Sequence, residues 1–292
     1  MFLSALKTGA NRLRSIEERC KKIQEALGRI EGRQLQDLPA AEIQRAEFRV
    51  FSQWGEDGIL QHLLRHVAVS KKIFVEFGIE NYTESNTRFL LVNDNWAGLV
   101  IDGSPANIEY VKKDEIYWRY NLKAEAAFIT KDNINDLIRR NGISGEIGLL
   151  SVDIDGNDYW VWEAIDAVVP SVVVVEYNAR FGPERSVTVP YNPAFVRAVA
   201  HHSNLYWGAS LSAFCRLGKR KGYSFVGCNT AGNNAFFVRS DLRQPNLPEL
   251  TAAEGFVMSQ FNDSLDARGA LAFLTDERAE AILSKLPLVE IV

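Results

Sequence analysis

From about residue 50 onward, short β-branched runs alternate with segments of helical periodicity, and this alternation constrains the fold more than any other feature. Such alternation indicates βαβ units and a parallel sheet. The predicted strands are Ile73–Phe77, Gly98–Asp102, Ala126–Thr130, Ile147–Asp153 and Val172–Tyr177, with helices at Glu84–Asn93, Pro105–Lys112, Ile134–Arg140 and Asn157–Ala167. After a helix at Ser210–Lys221, the strands Tyr223–Cys228 and Asn234–Arg239 flank a turn rich in Gly and Asn. The predicted class is α/β, with a mostly parallel seven-stranded sheet that ends in an antiparallel hairpin.

An amphipathic segment precedes this domain. Its apolar positions are spaced alternately three and four residues apart, at Leu13, Ile16, Cys20, Ile23, Leu27 and Ile30. This is an a/d heptad seam on a helix, which predicts either a coiled coil between copies of the chain or a helix lying on its own domain. We expect an N-terminal helix and linker over residues 1–46, the main domain over 47–242 and a helical extension over 243–292. A homo-oligomer formed through the N-terminal helix is the expected assembly.

Composition excludes several classes of protein. A net charge of −4, carried by many charges of both signs, has no polyanion-binding signature, so we expect no nucleic-acid partner. The three cysteines have no CxxC spacing, which argues against a zinc knuckle and suits a reducing cytoplasm. The apolar opening Met1–Leu6 is too short for a signal sequence, and no later run approaches the ~20 apolar residues of a membrane span. We therefore expect a cytoplasmic protein with no membrane span.

Acidic side chains mark the ends of the predicted strands. Four of the five parallel strands end on, or one residue from, an acid: Glu76, Asp102, Asp153 and Glu176. The carboxyl ends of parallel strands form the edge at which open α/β sheets bind ligands. Random placement would seldom bring so many carboxylates to one edge, so the pattern predicts a ligand-binding crevice there.

The first of these strand ends continues into the turn Glu76–Phe77–Gly78. Gly78 permits a tight turn and a close approach of the backbone to a ligand, and the N–H groups of the following helix could seat an anionic group. Only one glycine of a dinucleotide G-x-G-x-x-G fingerprint is present, so NAD and FAD are disfavoured. The carboxylate of Asp102, one β-α-β step further on, could accept both hydroxyls of a ribose. The alternative is that Asp102 caps the helix that begins at Pro105.

The ends of the fourth and fifth strands offer oxygen ligands for a metal. Asp153, Glu176 and Asn178 are a set that could hold Mg²⁺, which would activate and orient an acceptor hydroxyl. The alternative is metal-free general-base catalysis by Asp153, Asp155, Glu176 or a histidine, for which His202 is the candidate. Asp155 or Asn157 could instead cap the next helix.

A long irregular segment, Asn178–Asn204, follows the fifth strand. Loops of this length inside a compact domain are usually binding loops or lids. Arg180, Arg185 and Tyr191 would supply donors and a stacking face for a polar acceptor.

Four segments resemble FkbM-type methyltransferases. Phe51–Asp57 resembles the SQ-x-G-[QE]-D segment that precedes the fold in that family. Val152–Asp158 resembles its fourth-strand D-x-[ED]-G-x-[ED] motif, and Gly218–Tyr223 with Asn233–Val238 resembles the end of the fold. The resemblance covers residues 50–242.

The resemblance implies a Rossmann-like class I methyltransferase fold with S-adenosylmethionine as methyl donor. It also implies O-methylation of a hydroxyl on a small-molecule or glycan acceptor such as a sugar or natural product. The predicted cofactor-binding residues are Gln53, Glu76, Phe77, Gly78, Asn86, Asp102, Gly103, Ser104 and Asp153. In the family the first turn usually reads G-x-N-x-G, whereas residues 78–83 here are bulkier. The alternative is therefore a degenerate methyltransferase-fold binding or scaffold protein that oligomerises through its N-terminal helix.

Overall fold

The computed structural model describes the backbone of residues 2–292 and the side chains of residues 12, 13 and 15–292. Met1, and the side chains of the rest of the apolar opening, lie outside the described part. The helices are α1 (Phe2–Gln34), α2 (Glu56–His66), α3 (Arg88–Asp94), α4 (Pro105–Lys113), α5 (Glu115–Arg119), α6 (Ile134–Arg140), α7 (Asp158–Ala164), α8 (Arg197–Ala200), α9 (Leu211–Lys221), α10 (Ala252–Gly255) and α11 (Asp276–Leu283). The strands are β1 (Ile73–Phe77), β2 (Ala97–Asp102), β3 (Leu122–Ala126), β4 (Gly145–Val152), β5 (Val168–Glu176), β6 (Val187–Thr188), β7 (Tyr223–Cys228), β8 (Asn234–Arg239) and β9 (Val289–Glu290).

Seven strands form one sheet in the order β3-β2-β1-β4-β5-β8-β7. The five strands from β3 to β5 pair in parallel, whereas β8 runs antiparallel to both β5 and β7. The predicted class, a mostly parallel Rossmann-like sheet closed by an antiparallel hairpin, is confirmed. The order reverses between β1 and β4, and open α/β sheets bind ligands at such a switch point.

Helices cover both faces of the sheet, so the central strands are buried on two sides. The side chains of Val173 and Val175 join a layer with α6, α7 and α9, while those of Val172 and Val174 join a layer with α2, α3 and α4. A strand buried on both faces requires a continuous apolar run instead of an alternating one. The run Val172–Val175 meets this requirement and fixes β5 at the centre of the fold.

Several predicted boundaries were wrong. The third strand is Leu122–Ala126, and not Ala126–Thr130, because β3 is an edge strand whose buried Leu122 and Ala124 alternate with the exposed Lys123. Helix α3 begins at Arg88, four residues after the predicted start at Glu84, because residues 78–87 form an irregular turn. Helix α2 was not predicted, although Ile59, Leu60 and Leu63 have helical spacing and are buried.

The C-terminal extension packs on the long loop that follows β5. Strand β9 pairs antiparallel with β6, with Val187 opposite Glu290 and Thr188 opposite Val289. Ala279 and Leu283 of α11 share a small apolar cluster with Phe181 and Val189 of the loop. The loop and the extension therefore share one packed layer beside the main sheet.

The C-terminal half of α1 lies on the main domain through a glycine face. A Cβ atom on Gly28 would lie 2.3 Å from Cγ2 of Val50, so only glycine allows this approach. The side-chain amide of Gln24 also donates a hydrogen bond to the carbonyl of Val50. Neither α1 nor any other helix of the described residues combines the length and apolar character that crossing a membrane requires.

Candidate functional site

Two adjoining pockets open at the carboxyl ends of the parallel strands, with volumes of about 230 and 330 Å³. The first lies beside Asp102, and the second lies beside Glu176. Four residues line both pockets: Gly78, Glu80, Asp153 and Asp155. The two pockets are thus halves of one cleft at the switch point of the sheet, where the acids at the strand ends predicted a ligand site.

Eight of the nine predicted cofactor-binding residues line this cleft: Gln53, Glu76, Phe77, Gly78, Asn86, Asp102, Gly103 and Asp153. The ninth, Ser104, instead caps α4, because its hydroxyl accepts the N–H of Asn107 at 3.4 Å. The helix-capping role considered for Asp102 therefore belongs to Ser104.

The Asp102 carboxylate joins two turns at the first pocket. Its Oδ2 accepts the N–H of Glu80 at 2.8 Å, while Oδ1 accepts the N–H of Ser104 at 2.8 Å and the Nδ2 of Asn107 at 3.0 Å. A carboxylate has about four lone-pair sites, so one remains for a ligand hydroxyl. Asp102 is 8% exposed and lines the first pocket.

Glu76 holds the irregular turn in front of α3. Its carboxylate accepts the N–H groups of Asn86 at 2.8 Å and Thr87 at 3.2 Å, together with the hydroxyl of Ser85 at 2.6 Å. The backbone donors in front of α3 are therefore occupied from within the chain. Glu76 thus occupies the N–H groups of Asn86 and Thr87, which a ligand anion cannot then use.

Gly78 brings the ends of β1 and β4 into contact. Its φ is +67°, and a Cβ atom there would lie 1.6 Å from the carbonyl oxygen of Asp153. Two non-glycine residues in the same turn, Glu80 (φ 47°) and Tyr82 (φ 64°), also adopt left-handed backbone. Such conformations cost free energy and persist where the surrounding structure imposes them, often at functional sites. The surrounding structure thus imposes left-handed backbone on Glu80 and Tyr82, which are bulkier than the glycines of the G-x-N-x-G arrangement.

Asp153 and Glu176 form a pair of buried, mutually repelling carboxyl groups that line the second pocket. Burial, and then repulsion from neighbouring acids, raises the pKa of both groups well above the ordinary range. The Oε2 atom of Glu176 is buried and has no hydrogen-bond partner among the residues that the structure describes. The pair therefore holds a proton to higher pH than isolated carboxyls would.

Asp158 shapes the loop after β4. Its carboxylate accepts the N–H groups of Ile154 at 2.7 Å and Gly156 at 2.8 Å. Burial raises the pKa of Asp158 to about 6. Neither Asp155 nor Asn157 caps α7 through its side chain, so that predicted alternative is wrong.

The segment before α2 positions Gln53 beside the second pocket. The Asp57 carboxylate accepts the three consecutive N–H groups of residues 50–52 at 2.7–2.8 Å, and burial raises its pKa to about 6. The Oε1 of Glu56 accepts the side-chain amides of Asn229 and Asn234, which ties the same segment to the β7–β8 turn. Both acids of the predicted family segment are therefore buried and structural.

Arg197 was not predicted, yet it is the cation of the cleft. Its guanidinium donates to Asp155 at 2.7 Å and to Asp263, and it lies 4.4 Å from the ring centre of Trp207. Phe261 and Asp263 come from the C-terminal extension and line the second pocket, and Phe261 stacks on Trp54 at 5.5 Å. These contacts join residues far apart in the chain, so no local sequence pattern indicates them.

Other predicted residues lie away from the cleft. His202 is exposed and packs against the ring of His201, outside both pockets. Arg180 pairs with Asp276, and the hydroxyl of Tyr191 donates to Asp132 at 3.1 Å. Arg185 likewise lies outside the two pockets. The structure does not bring these residues to the cleft, so it offers no support for the predicted roles of His202 in catalysis and of the others in acceptor binding.

The predicted magnesium site is not supported. The side chain of Asn178 is hydrogen-bonded to backbone groups at both of its polar atoms. Its Oδ1 accepts the N–H of Arg180 at 3.1 Å, and its Nδ2 donates to the carbonyls of Leu205 and Trp207. Within residues 12, 13 and 15–292, no three His, Cys, Asp or Glu side chains are grouped so as to hold a metal ion. Asp153, Glu176 and Asn178 therefore do not form the predicted Mg²⁺ site.

Comparison with protein-family profiles gives no match, and comparison with curated proteins gives no significant match. Among solved structures, the chain is similar to the N-terminal domain of EvdMO1 with SAH bound, at 9% identity and a TM-score of 0.40 over 73% of this chain and 94% of that one. It is also similar to a S-adenosylmethionine-dependent methyltransferase from Clostridium acetobutylicum ATCC 824, at 9% identity and a TM-score of 0.41 over 63% and 89%. No residue role in this chain follows from likeness at this level, and the resemblance to FkbM-type methyltransferases stays a prediction.

Proposed function

We propose that this chain is an S-adenosylmethionine-dependent methyltransferase that methylates a hydroxyl of a neutral, polyhydroxylated acceptor such as a sugar, glycan or natural product. The observation that carries the proposal is the position of the Asp153–Glu176 pair. Asp153 lies where the pocket beside Asp102 meets the pocket beside Glu176.

The pocket beside Asp102 suits the adenosyl part of the donor. The free lone-pair position of Asp102 would accept a ribose hydroxyl. Ile101, Phe128 and Ile154 supply apolar walls of the kind that cover a purine ring. Ligand pockets typically combine such walls with a few fixed polar groups.

The carboxyl pair suits the charge of the donor. S-adenosylmethionine supplies an electrophilic methyl group on a positively charged sulfonium, and that charge is lost when the methyl group leaves. Asp153, Asp155 and Glu176 place negative potential at the junction of the two pockets. In a partly buried site this attraction is worth more than it is in water. The cleft should therefore prefer the charged donor over the neutral S-adenosylhomocysteine.

The second pocket suits a neutral acceptor. Seven carboxyl groups and one guanidinium line it: Glu76, Glu80, Glu84, Asp153, Asp155, Glu176 and Asp263, with Arg197. An anionic acceptor would be repelled, whereas hydroxyl groups can donate hydrogen bonds to carboxylates. The predicted hydroxyl acceptor is consistent with this lining, and a phosphorylated or carboxylated one is disfavoured.

The chain's own residues can manage the proton. As the acceptor oxygen bonds to the methyl carbon, its proton must leave, and a carboxylate of the Asp153–Glu176 pair can accept it. The raised pKa of both groups makes the pair a stronger base than an ordinary surface carboxylate. Phe195 and Phe261, which line the two pockets, would exclude water from the reacting atoms.

Calorimetry with S-adenosylhomocysteine tests the proposal directly. We expect binding to the wild-type chain and a loss of at least about ten-fold in affinity for Asp102→Ala, which is ~1.4 kcal/mol. Asn107→Ala is the matched control, because it removes one hydrogen bond to Asp102 and leaves the carboxylate in place. Its affinity should stay within about two-fold of wild type.

The result that overturns the proposal is the absence of binding at millimolar S-adenosylhomocysteine by a folded wild-type chain. That result would favour the scaffold alternative, in which the cleft is a remnant. Folding is checked separately by circular dichroism, so a misfolded sample cannot be mistaken for this outcome.

A further inference from the structure

One face of α1 is apolar and exposed to solvent between residues 13 and 30. We name its a and d positions the α1 seam; its aliphatic members Leu13, Ile16, Ile23, Leu27 and Ile30 are 47–64% exposed, and the remaining member, Cys20, is also exposed. Full burial of a large aliphatic side chain stabilises by ~1.5–3 kcal/mol. Contiguous exposed apolar residues of this kind mark an interaction surface.

The main domain holds α1 from a different side. Gly28 and Gly32 are buried against the domain, and the side chain of Arg65 donates to the carbonyl of Gly32. On a helix, residues 28 and 32 lie well over a quarter turn from the centre of the a/d stripe. The domain thus fixes the helix while leaving the α1 seam uncovered.

We propose that the α1 seam packs against the α1 seam of a second copy of this chain, with the two helices parallel and in register. The charges at the e and g positions, which flank the seam, support this arrangement. The g positions are basic or neutral, at Arg12, Arg19, Ala26 and Arg33, whereas the e positions are acidic or neutral, at Glu17, Gln24 and Glu31. Charges at e and g set the partner and the orientation of a coiled coil.

Only the parallel arrangement pairs opposite charges. There, a g residue faces the e residue of the next heptad on the partner, so Arg12 lies beside Glu17 of the partner subunit. In an antiparallel arrangement g faces g and e faces e, which would set arginine against arginine and glutamate against glutamate. The charge pattern is therefore self-complementary for parallel copies and repulsive for antiparallel ones.

The core of the seam adds a second expectation. Leu at a and Ile at d, the pattern of Leu13, Ile16, Leu27 and Ile30, favours assemblies of more than two strands. In a parallel, in-register assembly of any size, each a residue faces its own equivalent. Cys20 occupies an a position and would face the partner's Cys20.

The mass in solution tests the assembly. Light scattering on the full chain should give two or more times 32.8 kDa, and Ile16→Asp with Ile23→Asp should give 32.8 kDa. Both positions are exposed within one chain, so the double variant should keep its fold. The matched control is Ser15→Asp with Lys22→Asp, at exposed c positions of the same helix, which should keep the wild-type mass. A monomeric wild-type chain, or a double variant with unchanged mass, overturns the proposal.

Cysteine crosslinking tests the orientation. A disulfide needs Cα atoms roughly 4.4–6.8 Å apart. Mild oxidation should link wild-type chains through Cys20, and in a Cys20→Ser background it should link chains that carry Leu13→Cys or, separately, Leu27→Cys. Burial raises the pKa of Cys215 to about 12 and that of Cys228 further, so neither should compete. Crosslinking at only one of the three positions would show an antiparallel pair and overturn the parallel assignment. The donor-binding cleft is not involved, so this result is independent of the proposed function.

Discussion

The carboxyl groups of Asp153 and Glu176 follow two neighbouring parallel strands and line the same pocket. Val152 and Val175 are partners in the register of β4 and β5, and the two acids directly follow them. The fold therefore forces two carboxyls into one buried place, where their pKa values rise. The pair titrates as a unit, so its charge depends on pH over a range set by both groups.

The charge of this pair should control donor binding. The affinity for S-adenosylmethionine should rise with pH as the pair loses its shared proton. Glu176→Gln removes the repulsion from Asp153, so the rise should move to lower pH by about one unit, the scale of coupling between such groups. The plateau affinity should fall by roughly ten-fold. Calorimetry at several pH values measures both effects, and Asp136→Asn, at an exposed acid on α6, should change neither.

Gly78 should tolerate no side chain. Gly78→Ala places a Cβ atom against the carbonyl of Asp153 and also imposes left-handed backbone on alanine. The backbone strain alone costs ~1–2 kcal/mol. Gly145→Ala is the matched control, because Gly145 has φ +70° but no atom within 4 Å of the added carbon.

Chemical unfolding separates the two costs at Gly78. We expect Gly145→Ala to lose ~1–2 kcal/mol and Gly78→Ala to lose at least ~3 kcal/mol more, because the turn or β4 must move. Equal losses in the two variants would show that the contact with Asp153 relaxes freely.

Asp57 should make the free energy of unfolding depend on pH. Its pKa rises from 3.8 to about 6 on folding, because it is fully buried. Its contribution to stability is therefore fully present below pH 3.8 and is lost as the pH rises through 6. The loss is about 3 kcal/mol at 1.36 kcal/mol per unit.

The variant Asp57→Asn isolates this dependence. It cannot ionise, so its stability relative to wild type should improve by about 2.4 kcal/mol between pH 4 and pH 7, whatever constant offset the new amide introduces. Urea unfolding across that range measures the difference. A constant difference between wild type and variant at every pH would contradict the expectation.

Arg197 should hold the long loop and the C-terminal extension together beside the cleft. Arg197→Lys keeps the charge but cannot bond Asp155, Asp263 and the carbonyl of Asn204 at once. Limited proteolysis should then cut residues 178–204 or the extension several times faster. Arg119→Lys, at an exposed pair with Glu115, is the control and should leave the cleavage rate unchanged.

Much of the central sheet could be predicted from the sequence, since buried parallel strands require apolar runs. Tyr223–Cys228 and Asn234–Arg239 match β7 and β8 residue for residue. The edge strand β3 was not predicted correctly, because Lys123 and Glu125 break the apolar run without ending the strand. Backbone pairing with β2 holds it in place, and pairing leaves no trace in local hydropathy.

The acids of the cleft could be predicted from their position at strand ends, but their tasks could not. All three of Glu76, Asp153 and Glu176 line the cleft, but only the carboxylate of Glu76 also closes the turn before α3. The link between Arg197 and Asp263 spans 66 residues, a separation at which no periodic pattern indicates a contact. Such a contact follows from tertiary packing alone.

The pairing of β6 with β9 determines how parts of this protein could be exchanged with those of a homologue. The N–H of Ile291 donates to the carbonyl of Ser186 at 2.7 Å, and the hydroxyl of Ser186 donates to the carbonyl of Ile291 at 2.8 Å. A chimera that replaced residues 178–204 alone would pair β6 of one protein with β9 of another in this two-stranded sheet. Recombination that seeks a new acceptor preference must therefore transplant the loop and residues 252–291 from the same parent.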